Sequence, residues 1–91
     1  MSNSDLYNAK PDGIVMYSAS WCPDCKRSKQ FLAQHNIQYL DVDIGKDNEA
    51  FLFVERLTRR VRIPTMIVPD GSIMIEPDEV DLSRKLGIKL S

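Results

Sequence analysis

The stretch Cys22-Pro23-Asp24-Cys25 decides the fold of this chain. It follows an apolar run at residues 14–17 that is rich in β-forming side chains and typical of a buried strand. Proline suits the first position of a helix, because its missing N–H would have no intrahelical partner there. We therefore predict a strand that ends just before the cysteines and a helix over residues 23–35.

The rest of the pattern predicts a second strand and helix, a hairpin and a last helix. Polar and apolar residues alternate over 38–44, as in a strand with one buried face. Helical spacing of apolar residues over 50–61 predicts a helix that is capped by Asp47 or Asn48, has arginines at its C-terminal end and is stopped by Pro64. Pro69-Asp70-Gly71 separates two short apolar runs, which is a hairpin signal, and the last helix opens at 77–78.

The element order β-α-β-α-β-β-α limits the architecture. A βαβ unit is parallel and right-handed, and a closing hairpin is antiparallel. The order therefore predicts an α/β protein, with a four-stranded mixed sheet and helices on both faces. The smallest common fold with this order is the thioredoxin fold in its short form.

Composition bounds the function classes. The 91 residues fit one domain, which we place at 13–91 after a flexible N-terminal lead-in at 1–12. A net charge of −1 argues against a nucleic-acid partner. No apolar run approaches the roughly 20 residues of a membrane span, and the N-terminal residues do not resemble a signal peptide. We expect a monomer in a reducing cytoplasm.

The spacing of the two cysteines gives each a separate role. The free N–H groups and the positive dipole end of the predicted helix point at the sulfur of Cys22, which favours the thiolate. We therefore expect Cys22 to attack a disulfide and Cys25 to resolve the mixed disulfide. Zinc sites need about four ligands, and two cysteines with one histidine do not supply them, so we expect no bound metal within the chain.

Neighbouring side chains are candidates for substrate contact. Asp24 places a carboxylate between the two sulfurs, where it opposes a negative charge on Cys22, and nearby lysines and arginines partly offset it. Trp21 either forms an apolar docking surface or packs locally. Arg62, together with Arg59, either binds a carboxylate of a small thiol or simply matches the dipole of a helix end.

In order along the chain, Trp21-Cys22-Pro23-Asp24-Cys25, residues 42–44, residues 63–65 and residues 69–72 resemble the landmarks of the glutaredoxin family. The most similar branch is the mycoredoxins and related actinobacterial-type proteins. The resemblance implies that Pro23 belongs to the active-site turn and that Pro64 follows a cis peptide bond beside the active cysteine. It also implies that the Ile63 peptide group binds the backbone of a thiol or substrate. Asp78 resembles the residue that caps the last helix and can meet the amino group of the thiol.

Three departures bear on the electron donor. Where glutaredoxins usually carry a lysine, an aromatic residue and a Gly-Gly pair, this chain has Ala19, Asp24 and Ile75-Glu76-Pro77. These changes weaken the case for glutathione, so mycothiol or a thioredoxin-type reductase is at least as strong a candidate. We expect no bound cofactor and disulfide-containing proteins as partners.

Two alternatives remain open at the level of sequence. Some glutaredoxin-like proteins hold a [2Fe-2S] cluster between two subunits through the first cysteine and an external thiol, although Pro23 stiffens the turn against this. A folded, non-catalytic interaction module is the other alternative.

Overall fold

The structure is a computed structural model that describes residues 11–88. It contains four strands and three helices in the predicted order. The elements are β1 (Val15–Ser18), α1 (Pro23–Gln34), β2 (Leu40–Asp43), α2 (Asn48–Thr58), β3 (Thr65–Ile67), β4 (Ile73–Ile75) and α3 (Glu79–Leu86).

The four strands form one mixed sheet in the order β2-β1-β3-β4. Strand β1 pairs in parallel with β2 and antiparallel with β3, and β3 pairs antiparallel with β4. This confirms the predicted sheet and the short thioredoxin fold. Because β1 is central, the loop that follows it emerges from the middle of the sheet rather than from an edge.

Each face of the sheet carries a separate apolar cluster, because successive side chains of a strand point to opposite faces. On one face Tyr17 of β1 packs with Val54 of α2. On the other face Met16 packs with Leu32 of α1 and Leu82 of α3. All five of these side chains are almost completely buried. Helices thus cover both faces, as predicted.

Helix α2 ends earlier than the sequence pattern predicts. It stops at Thr58, and Arg59 adopts a left-handed conformation (φ 67°) that ends the helical hydrogen bonding well before Pro64. Val61 keeps helical spacing but packs on the core from the connecting segment. The helical spacing of apolar residues predicts the wrong end for α2 because Val61, a loop residue, fills the next position in the core. The arginines at 59, 60 and 62 therefore follow α2 and are not part of its last turn.

Strand β2 covers only Leu40–Asp43 of its alternating pattern, and beyond it the Ile44 N–H still donates to the Ser18 carbonyl oxygen at 2.9 Å. The predicted lead-in lies outside the described residues except for Pro11 and Asp12, and its boundary stays a prediction.

In the part of the chain that the structure describes, no helix has the length and apolar character that a membrane span requires.

Candidate active site

Cys22 lies between the central strand and the first helix. Its backbone N–H donates to the Ala19 carbonyl oxygen at 3.2 Å, and its extended conformation (φ −93°, ψ 112°) makes it the N-cap of α1. The backbone N–H of Cys25 donates to the Cys22 sulfur at 3.2 Å. The sulfur therefore occupies the place that a serine or aspartate oxygen takes in an ordinary N-cap. A helix N-terminus stabilises negative charge at that position.

Cys25 lies deeper than Cys22. It is 0% exposed whereas Cys22 is 6% exposed, and both are free thiols. Burial raises the pKa of the Cys25 thiol to about 12, and the hydrogen bond with Cys22 adds to this shift. Cys25 is thus a protonated thiol near neutral pH, shielded from solvent, while Cys22 keeps a narrow opening to solvent.

The segment before β3 packs against the sulfur of Cys22. The peptide bond between Ile63 and Pro64 is cis, which confirms the expectation drawn from the family resemblance. The Ile63 carbonyl oxygen lies 4.0 Å from the Cys22 sulfur, and Pro64 is fully buried. The Thr65 hydroxyl donates to the Arg62 carbonyl oxygen at 2.6 Å and so holds the segment against the start of β3.

The rim of the site is apolar on one side and charged on the other. Trp21 is 72% exposed, so it does not pack into the core. Asp24 is exposed and pairs with Arg27 at 3.5 Å across one helical turn. Pro23 is exposed at the first position of α1, and the Arg62 side chain is exposed before Ile63.

A groove of about 460 Å³ runs from the start of α1 to the start of α3. Glu76 lies at its edge in a left-handed conformation (φ 50°) that favours glycine, and its N–H donates to the Pro64 carbonyl oxygen at 2.8 Å. That bond places the groove beside the segment that faces Cys22. Among residues 11–88, the charged side chains that line it are Asp24, Arg27, Glu76, Asp78 and Glu79.

The comparisons with known proteins agree with this geometry. The family model described as Glutaredoxin matches residues 14–74, from the start of β1 into β4. This chain belongs to the glutaredoxin family. A glutaredoxin candidate of Mycobacterium tuberculosis is 34% identical over 74 residues, which cover 80% of this chain and 88% of that protein.

Solved structures show the same fold. A thioredoxin-like protein matches this glutaredoxin with a TM-score of 0.76 and 26% identity, over 84% of this chain and 96% of the other. The glutaredoxin of Methanosarcina mazei Go1 matches with a TM-score of 0.69 and 26% identity, over 82% and 78% of the two chains.

The fold brings most of the predicted site residues together. Cys22, Cys25 and Ile63 meet at the sulfur, and Asp24 and Asp78 line the groove. The Asp78 carboxylate caps α3 by accepting a hydrogen bond from the Asp81 N–H at 2.8 Å. The Asp81 carboxylate in turn accepts a hydrogen bond from the Asp78 N–H at 3.2 Å.

Three polar residues, one of them four positions after Cys25, belong to a contact that sequence reasoning missed. The sequence predicts that Lys29 is one of the cations that offset Asp24, but its ammonium lies 2.9 Å from Asp41 of β2. Asp41 also accepts a hydrogen bond of 2.7 Å from the Ser18 hydroxyl. The partners come from three different elements, so no local spacing signals the contact.

In the described segment, no group of three or more histidine, cysteine, aspartate or glutamate side chains is arranged to hold a metal ion. The His35 ring packs against Phe31 in a tilted arrangement, with ring centroids 4.5 Å apart, at the far end of α1 from the sulfur pair.

Proposed function

We propose that this glutaredoxin is a dithiol oxidoreductase that reduces protein disulfides or their mixed disulfides with small thiols. One observation carries the proposal: the Cys22 sulfur is the N-cap of α1 and also faces the Ile63 carbonyl oxygen. The first contact favours a thiolate, which is the nucleophile of disulfide exchange. The second puts the backbone of the segment at Ile63 and Pro64 beside the attacking atom.

The reaction proceeds in two exchange steps. The Cys22 thiolate attacks one sulfur of a substrate disulfide, forms a mixed disulfide and releases the other sulfur as a thiolate, which takes up a proton. Cys25 then loses its proton and attacks the Cys22 sulfur, so that the Cys22–Cys25 disulfide forms and the second substrate thiol leaves. Two electrons pass from the protein dithiol to the substrate.

The groups around the Cys22 sulfur are the ones that contact the substrate. The Ile63 peptide offers backbone hydrogen bonding to an extended substrate, as in addition of a strand. The exposed Trp21 ring offers an apolar surface next to Cys22, and large exposed aromatic side chains are typical anchors of interfaces. Protein disulfides are therefore the partners that we assign to this surface.

The groove bears on the identity of the small thiol. Its charged lining consists of four carboxylates and the Arg27 guanidinium. Glutathione carries two carboxylates and one ammonium, so its net negative charge is repelled there, whereas mycothiol carries no carboxylate. This favours mycothiol, or direct reduction by a thioredoxin-type reductase, over glutathione. A reducing cytoplasm is the compartment that suits a dithiol reductant.

Cysteine variants test the proposed function. We expect Cys22→Ser to abolish turnover of both a protein disulfide and a mixed disulfide, because the attacking sulfur is lost. Cys25→Ser should lose reduction of protein disulfides and keep the first exchange step with a mixed disulfide. Wild-type turnover by Cys22→Ser would overturn the assignment.

A donor experiment identifies the reductant. The oxidised protein is supplied with NADPH together with glutathione, mycothiol or thioredoxin reductase systems in parallel, and the return of two free thiols is measured. We expect the mycothiol or the reductase system to be faster than glutathione. Fastest reduction by glutathione would contradict the argument from the groove.

A further inference from the structure

We propose that Lys29, held in place by Asp41 and Ser18, is a positioning residue that assists the resolving step at Cys25. The inference rests on the proposed dithiol function and concerns only its second half. It assigns the Lys29–Asp41–Ser18 contact, which the first exchange step does not use.

The geometry sets the ammonium on the side of α1 that carries Cys25. Lys29 follows Cys25 by four residues, and side chains four apart lie on the same face of a helix. The Lys29 ammonium lies 2.9 Å from one oxygen of Asp41, whose other oxygen accepts the Ser18 hydroxyl hydrogen bond. The Lys29 and Asp41 side chains are 26% and 43% exposed, so the ion pair is partly shielded. Strands β1 and β2 therefore anchor a cation that would otherwise be mobile.

Cys25 needs such a cation because the resolving step creates a negative charge in a buried place. Its pKa of about 12 comes mainly from burial, whereas the hydrogen bond with the Ala19 backbone and, to a smaller extent, the charge of Lys29 act in the opposite direction. Of the titratable groups described, Cys22 and Lys29 act on Cys25 directly, whereas Asp41 and Tyr39 act on Lys29.

Lys29 stays charged over the working range of pH. Burial lowers the pKa of Lys29, but the hydrogen bond and the charge of Asp41 more than offset this, so the pKa lies above its usual value. Burial and then the charge of Asp41 raise the pKa of Tyr39, which is therefore neutral near pH 7. The Lys29 ammonium therefore keeps its positive charge near pH 7, beside a neutral Tyr39.

In the resolving step, Cys25 gives its proton to a solvent base and its thiolate attacks the Cys22 sulfur of the mixed disulfide. The bond between Cys22 and the substrate sulfur breaks, and the substrate leaves as a thiolate that takes up a proton. Lys29 stabilises the negative charge while it resides on Cys25. Before Cys25 loses its proton, this stabilisation has no role.

The test measures release of a chromophoric thiol from a preformed Cys22 mixed disulfide by stopped flow between pH 6 and pH 10. We expect Lys29→Met to slow release at pH 7 by about 3- to 10-fold and to move the pH profile upward by about 0.5 to 1 unit, as loss of one nearby charge does. Lys29→Arg should restore most of the rate, because it keeps the charge.

A matched control removes a lysine from a similar ion pair elsewhere. Lys85 lies 2.7 Å from Asp70 and its side chain is 33% exposed, but the pair joins α3 to the hairpin turn. Lys85→Met should leave the rate and pH profile of release unchanged. The first exchange step, measured in the Cys25→Ser background, should be the same with and without Lys29→Met.

The proposal is overturned if Lys29→Met releases the thiol with the wild-type pH profile, or if it slows the first step as much as the second. Lys29→Gln provides the same readout should the methionine variant fail to fold. Failure of the proposed function is distinct, because Cys22 would then form no mixed disulfide with any of the Lys29 variants.

Discussion

At the scale of the residue, two identical side chains become chemically different through their surroundings. The Cys22 sulfur accepts a hydrogen bond from the Cys25 N–H at the start of α1, whereas Cys25 is buried and its thiol has a pKa of about 12. The difference arises because the first cysteine is the N-cap, outside the first helical turn, and the second is inside that turn. A helix N-terminus and a buried core thus act on sulfur atoms only three positions apart.

Glu76 is a second residue whose surroundings bear on function. We expect Glu76→Gln to speed reduction of a glutathionylated peptide by about 2- to 5-fold, because removing one exposed charge relieves less than about 1 kcal/mol of repulsion. Reduction of the same peptide carrying 2-mercaptoethanol should stay unchanged. Both rates are measured with the donor saturating.

Glu55→Gln serves as the control for Glu76→Gln, since Glu55 is exposed on α2 and away from the groove. If both variants raise the glutathione rate equally, net charge is responsible and the groove has no specific role.

At the scale of the element, helix ends position the site. Cys22 caps α1, the Asp47 carboxylate caps α2 by accepting the N–H groups of Glu49 and Ala50, and Asp78 caps α3. The groove lies between the starts of α1 and α3, and Asp24 and Asp78 line it. The residues that begin these two helices are therefore also the candidates for thiol contact.

The role of Asp78 can be separated into capping and binding. Asp78→Ala should lower the free energy of unfolding by about 1 kcal/mol, whereas Asp78→Ser should keep it, because serine also accepts the Asp81 N–H. Urea unfolding measures both. With a neutral mixed disulfide we expect the serine variant to keep its rate within twofold.

A serine variant of normal stability that loses tenfold in rate would show instead that the Asp78 carboxylate contacts the thiol.

At the scale of the whole molecule, one ion pair ties the hairpin turn to the last helix. Asp70 accepts the Ser72 N–H at 2.8 Å and pairs with Lys85 of α3 at 2.7 Å. The hydrogen bond from Lys85, followed by that from Ser72, holds the pKa of Asp70 well below its usual range. Both groups are substantially exposed, so the contact aligns two surface segments rather than adding much stability.

The pair gives a pH-dependent contribution with a defined sign. Because the folded pKa of Asp70 is lowered, its stabilisation is complete above the unfolded pKa of about 4 and is lost as the pH falls through the folded value. The difference in unfolding free energy between wild type and Lys85→Met should therefore be present at pH 7 and pH 5 and smaller at pH 3. Urea unfolding at low salt measures it.

Lys46→Met is the comparison variant for Lys85→Met, since Lys46 is an exposed lysine in the turn between β2 and α2. An equal difference at all three pH values for Lys85→Met would show that the ion pair does not set the pKa of Asp70.

The sequence by itself determined the order of elements, the mixed sheet, the hairpin and the start of each helix. These follow from short-range causes: strand alternation over 38–44, proline at the first position of α1, the Asp47 and Asp78 caps, and the turn at 69–71. The roles that we predict for the two cysteines also rest on a local cause, because a three-residue spacing across a helix start places one sulfur outside the first turn and one within it.

Only the tertiary structure decided what surrounds the two sulfurs. The end of α2 at Thr58 depends on a left-handed Arg59 and on Val61 packing from the loop. The groove depends on Glu76 meeting Pro64, and the cation near Cys25 depends on Lys29 meeting Asp41 of β2. Each contact joins residues that are distant in the chain, so it arises from packing of elements and leaves no periodic trace in the sequence.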